Sequence, residues 1–119
     1  MLTLYWYSKC STCKNAKKWL EEHGKKVELI DMIKEVPAKE ELEKWVKESE
    51  LPIRRFFNTS GKKYRALGLK DKVDGYTLEE ACQVLSTDGM LIKRPILVKN
   101  DHFLTIGFNE NEYEGVFAS

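Results

Sequence analysis

Leu2-Thr3-Leu4-Tyr5-Trp6-Tyr7-Ser8-Lys9-Cys10-Ser11-Thr12-Cys13-Lys14 decides how the chain is read. Residues 2–7 are aromatic and apolar and predict a short, well-buried strand. Ser8 and Lys9 break it. From residue 11 to 23 the pattern turns helical, with Cys13, Ala16 and Leu20 on one face and Trp19 beside them. Gly24 supplies the natural stop. Two cysteines two apart therefore sit where a strand hands over to a helix.

Working outward, residues 27–30 form a second strand candidate. Strand, crossover helix and strand make a right-handed βαβ unit with a parallel pair. Pro37 is expected at the first turn of the next helix, where a missing N–H is tolerated. Leu42, Trp45 and Val46 give that helix its apolar stripe, and Leu51-Pro52 is expected to end it. Residues 53–57 suit a short helix with Phe56 and Phe57 inward. A further turn or two is expected over 64–69, closing at Gly68. Thr77 and Glu80 form a capping box. Leu78, Ala81, Cys82 and Leu85 face inward behind it, and Asp88-Gly89 is the expected stop.

Residues 95–98 and 102–106 read as strands joined by a tight antiparallel hairpin at Lys99-Asn100-Asp101. Asn109 with Glu112 starts a last helix, with Tyr113, Val116 and Phe117 packing inward. The order β-α-β, helical stretch, β-β-α predicts an α/β fold of the thioredoxin/glutaredoxin type. It has a mixed four-stranded sheet and helices on both faces. The expected organisation is one domain over 1–119, with a core of about 1–36 and 91–119 and a helical insertion of about 37–90.

The 119 residues suffice for one domain with a modest core. An apolar share of 42% and a charged share of 33% are those of a soluble globular protein. A net charge of +1 provides no global field for nucleic acid or acidic membranes. Residues 2–6 are too short for a signal-peptide core, and no apolar run reaches membrane-spanning length. A cytoplasmic location is expected. In a reducing compartment, paired cysteines point to catalysis, redox sensing or metal binding before structure.

A thiol reacts as its thiolate. Cys10 falls where unpaired N–H groups and the helix dipole favour negative charge. Cys13, one turn on, can reach back but is less exposed. That asymmetry suits Cys10 as attacker and Cys13 as resolver. The first helical turn carries Lys14, then Lys17 and Lys18, with Lys9 before it, where acidic residues are usual. An anion at that spot, thiolate or substrate, would offset the repulsion.

Zinc needs four ligands. Beyond the pair, the chain has only Cys82, His23 and His102, in no ligand spacing, so no metal is expected. Cys82 reads as a buried inert thiol, His23 as a helix-terminal residue and His102 as an exposed strand residue. Trp6, Trp19 and Trp45 read as core.

Arg94-Pro95 precedes the first hairpin strand. Proline cannot donate to a ladder, so the strand's first residue is its expected place. In this architecture that point lies beside the end of the first strand, hence beside Cys10. Arg94 would bring a permanent charge and five donors there.

Cys10-Ser11-Thr12-Cys13 after Tyr5-Trp6-Tyr7, the Gly68 region, and Asp88-Gly89-Met90-Leu91-Ile92-Lys93-Arg94-Pro95-Ile96 together resemble the ArsC/Spx family over nearly the whole chain. That family comprises arsenate reductases, the redox-sensing Spx regulators and small reductase-like proteins of unassigned substrate. The resemblance implies a glutaredoxin-like core and a cis Pro95. It matches Cys10 to the nucleophile, Cys13 to the second cysteine of Spx, and Arg94 to the arginine of both branches. Two further arginines of the glutathione-coupled arsenate reductases fall near Asn58 and Gly107, neither charged, so arsenate is not the expected substrate. The Spx glycine used to bind polymerase falls near Leu51. Residues 56–65 resemble the unassigned reductase-like branch.

The expected function is a thiol–disulfide oxidoreductase. Cys10 and Cys13 are the candidate catalytic pair, and Ser11, Thr12, Lys14, Arg94 and Pro95 the candidate anion site. No bound cofactor is expected. Thioredoxin, glutaredoxin or glutathione would be the electron donor, and a small oxidised thiol or oxyanion the substrate. The alternative is a Spx-like redox switch binding the RNA polymerase alpha subunit, without direct contact to nucleic acid or membrane.

Overall fold

A computed structural model describes residues 1–118. In chain order the main elements are β1 (Leu2–Trp6), α1 (Ser11–Glu22), β2 (Val27–Asp31), α2 (Lys39–Ser49), α3 (Lys62–Ala66), α4 (Leu78–Leu85), β3 (Ile96–Lys99), β4 (His102–Ile106) and α5 (Glu110–Phe117). Short 3-10 turns at Ile53–Phe56, Leu69–Asp71, Val73–Gly75 and Gly89–Leu91 punctuate the middle. The chain divides into two compact units, one of Met1–Asp31 with Arg94 onward and one of Met32–Lys93.

The first unit is built on a four-stranded sheet of order β2-β1-β3-β4. β1 runs parallel to β2 and antiparallel to β3, and Leu4 pairs with both Leu29 and Leu97. Alternation then puts Leu2, Leu4 and Trp6 on one face. There Leu4 and Leu97 pack with Ala16, Trp19 and Leu20 of α1 and Tyr113 of α5. Both helices of this unit thus share one face of the sheet. Each buried leucine contributes roughly 1.5–3 kcal/mol relative to exposure.

The hairpin turn is Asn100-Asp101, with φ of 50° and 68°. Two left-handed residues in a two-residue loop match the right-handed twist of the flanking strands, and Asn and Asp tolerate that conformation best after glycine. Gly24 follows α1 at φ 69°, the left-handed position expected of it. Asn109 caps α5 by accepting from the Glu112 N–H at 3.2 Å.

The second unit is helical. α2 buries Leu42, Trp45 and Val46, and α4 buries Ala81, Cys82 and Leu85. The two pack side by side, with Lys39 paired to Glu79 at 2.8 Å. The capping box is complete: Thr77 Oγ1 accepts from Glu80 N–H, and Glu80 accepts from Thr77 N–H. Arg54 is a hub, donating to Asp74, to the Tyr64 hydroxyl and to the Lys70 carbonyl.

Several boundaries differ from the sequence reading, three of them in α2 and α4. α2 begins at Lys39 behind Ala38, so buried Pro37 lies just outside the helix. It ends at Ser49, because Glu50 turns left-handed at φ 58° and the Ser49 hydroxyl accepts from Leu51 N–H. α4 stops at Leu85, ahead of Asp88-Gly89. Gly89 serves a different purpose: a Cβ there would lie 2.1 Å from the Met32 carbonyl oxygen. It is a point of close backbone approach, not a helix stop.

Candidate functional site

β1 ends at Trp6, and the chain turns so that Cys10 N–H donates to the Tyr7 carbonyl at 3.0 Å. Cys10 then becomes the N-cap of α1, with extended backbone at φ −100° and ψ 119°. Serine, threonine or aspartate usually fill that position, because their oxygen accepts a first-turn N–H. Here sulfur does so: Cys13 N–H donates to Cys10 Sγ at 3.4 Å. No acidic residue occupies the first turn. Lys14 closes the turn through its backbone, donating to the Cys10 carbonyl at 3.0 Å.

The two thiols sit in opposite surroundings. Cys10 is half-buried, whereas Cys13 is 0% exposed. Burial pushes the Cys10 thiol up, but hydrogen bonds from the Cys13 thiol and N–H, with the charge and hydrogen bond of Arg94, outweigh it. The net position is below the ordinary thiol value. Burial, the bond to Cys10 and the Cys10 charge push Cys13 up to about 12. One sulfur is thus favoured as an anion while its neighbour keeps a proton and donates it.

Arg94 acts on this sulfur through both its charge and a hydrogen bond. Its guanidinium also lies over the Tyr7 ring, 5.6 Å from the centroid, a cation–π contact that restricts where the charge can go. Tyr7 was read as a strand residue and as part of the family resemblance, without a role at the site. The Arg94–Pro95 peptide is cis, as the resemblance implies. Pro95 is buried and lies just before β3, since the β1–β3 ladder ends at the Tyr5–Ile96 pair. Its carbonyl accepts from Gly107 N–H at 2.8 Å. Ser11, Thr12 and Lys14 are all exposed on the first turn beside Cys10.

The remaining candidates are structural. Cys82 is fully buried in the second unit, and burial pushes its thiol up to about 11. His23 stacks on Trp19 with 3.8 Å between centroids, and its Nδ1 lies 2.8 Å from the Trp19 carbonyl oxygen. His102 is exposed on β4. Asn58 N–H is engaged by the Leu91 carbonyl at 2.8 Å. Among the described residues no group of three or more His, Cys, Asp or Glu could hold a metal ion. No helix among them is long and apolar enough to cross a membrane.

A strand–helix junction that carries two cysteines, with a cis-proline just before the adjoining strand, defines a thioredoxin-like fold. The ArsC family model matches residues 5–116, and the chain belongs to that family. It is 49% identical over 117 residues to the uncharacterized protein YusI of Bacillus subtilis, covering 98% of each chain. It is 28% identical to the global transcriptional regulator Spx of Staphylococcus aureus, covering 94% of this chain and 83% of that one. A solved structure described as a possible arsenate reductase from Streptococcus mutans superposes with a TM-score of 0.88 at 49% identity, covering 92% of each chain.

Proposed function

We propose that the protein is a cytoplasmic thiol–disulfide oxidoreductase of the arsenate reductase-like branch, with Cys10 as nucleophile and Cys13 as resolving thiol. The observation that supports this best is the opposed state of the two sulfurs. Cys10 caps α1, accepts from Cys13 and neighbours Arg94, so it is held toward the anion. Cys13 is buried and keeps its proton.

The steps follow from that asymmetry. The Cys10 thiolate attacks one sulfur of an oxidised thiol compound. A Cys10–substrate disulfide forms, and the other half leaves as a thiolate. Cys13 sulfur then attacks Cys10 sulfur, and the substrate's second half departs with the bonding electron pair. The Cys13 proton passes to the departing thiolate or to water. The Cys10–Cys13 disulfide that remains is reduced by two electrons from thioredoxin, glutaredoxin or glutathione. Arg94, Lys14 and the Ser11 and Thr12 turn would hold an anionic group of the substrate against the positive end of α1, with Pro95 shaping the adjoining wall. Arsenate fits less well, since the positions near Asn58 and Gly107 bring no charge.

Cys10→Ser is expected to abolish turnover of a glutathionylated peptide, whereas Cys13→Ser accumulates a covalent Cys10 adduct visible by mass spectrometry. A Cys13→Ser protein that turns over at the wild-type rate removes Cys13 as resolver.

The likeness to Spx supports a second reading, a redox switch that binds the RNA polymerase alpha subunit. Pull-down with the carboxy-terminal domain of polymerase alpha separates the two. Binding that depends on the Cys10–Cys13 disulfide, without reductase turnover, favours the switch.

A further inference from the structure

Tyr113 carries a hydroxyl into the first unit's core. It is 0% exposed, and its ring is held edge-on by Trp19 at 5.4 Å and by Phe108 at 4.8 Å. Its hydroxyl is buried and finds no hydrogen-bond partner among the described residues. Leu4, Ala16, Leu20 and Leu97 complete the apolar surround. A phenol buried without an acceptor is costly, and phenylalanine would fill the same space without that cost. The retained hydroxyl therefore calls for an acceptor that arises only at some stage of function.

The fold identifies the acceptor: β1 and β4 run in the same direction, so α1 and α5 start at the same end of the sheet and pack on one face, which sets Cys13 and Tyr113, each in the first turn of its helix, at the same level. Burial pushes Tyr113 well above the ordinary phenol value, and the negative charges of Cys13 and Glu112 push it the same way. Glu112 is exposed, and its carboxylate is engaged by the Thr105 hydroxyl at 3.3 Å. Cys13 is as buried as Tyr113 and shares the buried side of α1 with Ala16, which packs with Tyr113. Cys10, Arg94 and the Tyr7 backbone also act on Cys13.

We propose that Tyr113 is the donor that stabilises the Cys13 sulfur as it becomes anionic in the resolving step. This rests on the assignment of Cys13 as resolver. In the resting protein Cys13 donates to Cys10 and carries no charge for the phenol to meet. Once Cys10 is bound in a mixed disulfide, that acceptor is consumed. Cys13 must then shed its proton inside an apolar surround, where an unmatched thiolate is strongly disfavoured. The Tyr113 hydroxyl turns toward the developing thiolate and donates to it while keeping its own proton. The Cys13–Cys10 bond forms, the Cys10–substrate bond breaks, and the departing sulfur takes the bonding pair. The Cys13 proton goes to that leaving thiolate or to water, so tyrosine ends the step unchanged.

The test uses a symmetrical aryl disulfide that releases one coloured thiolate when Cys10 attacks and a second when Cys13 resolves. Tyr113→Phe is expected to leave the first release unchanged and to slow the second about tenfold. Its pH midpoint should move upward, and the melting temperature should hold or rise. A second release at the wild-type rate overturns the proposal. Equal slowing of both phases, or a lowered melting temperature with both phases slowed, also overturns it and leaves a packing role. Cys13→Ser tests the underlying assignment separately. It must abolish the second release, and if it does not, the cysteine pair and not the tyrosine has been misread.

Discussion

At the scale of single residues, the chemistry lies in how unequal two neighbouring thiols are. Alkylation of Cys10 by iodoacetamide should follow a pH profile whose midpoint lies below that of an ordinary thiol. Burial opposes this, so the profile depends on the donors that offset it. Arg94→Met should move the midpoint upward, and an unchanged midpoint would show that the guanidinium does not act on the sulfur. Much of this site was legible in the chain. Cys10 and Cys13 declared themselves by falling between a strand pattern and a helix pattern, and Arg94 by its neighbour Pro95. Tyr7 and Tyr113 did not. An aromatic residue in an apolar stripe looks the same whether its ring only packs or, like Tyr7, also lies under a guanidinium, and the contact emerges only in the folded chain.

At the scale of elements, local chemistry and long-range packing divide the labour. The α4 start was readable because a capping box is closed within four residues of sequence. The end of α2 was not, because Glu50 turns left-handed without the glycine that normally marks such a turn. Gly89 was recognised as a break and misread as a helix stop, because the carbonyl it accommodates belongs to Met32, far away in the chain. Gly89→Ala should cost about 1–3 kcal/mol, the usual penalty for forcing atoms into a filled space. Urea unfolding measures it. A loss of a few tenths would mean that the backbone at Met32 yields easily.

At the scale of the whole molecule, the sheet joins the two ends of the chain, with β1 pairing to β3 across the entire helical segment. The β-α-β and β-β-α halves were each predictable from local pattern, and their union from the topology such halves adopt. Of the short 3-10 turns, the one at Ile53–Phe56 was legible as a short helix over 53–57, whereas those at Leu69–Asp71, Val73–Gly75 and Gly89–Leu91 were not, since packing and not periodicity fixes them. Two buried thiols also set a global property. Cys13 is pushed up to about 12 and Cys82 to about 11, from 9.0. Between about pH 9 and 11 the unfolded chain therefore releases protons that the folded chain retains. The folded state binds more protons there, so stability falls as pH rises. The reduced protein should lose urea resistance across that window. Cys82→Ala should flatten the slope, whatever its effect on absolute stability. An identical slope in the variant would show that Cys82 ionises freely in the fold.

The depth of the second cysteine bears on how quickly the molecule can be made ready again. A thiol that releases its proton reluctantly is also a poor leaving group. In the proposed cycle an electron donor meets the Cys10–Cys13 bond at its outer end, and the displaced pair settles inward on the shielded sulfur. Rearming, rather than the first strike, would then set the pace of that cycle, and a well-matched donor would matter more to throughput than a well-matched target.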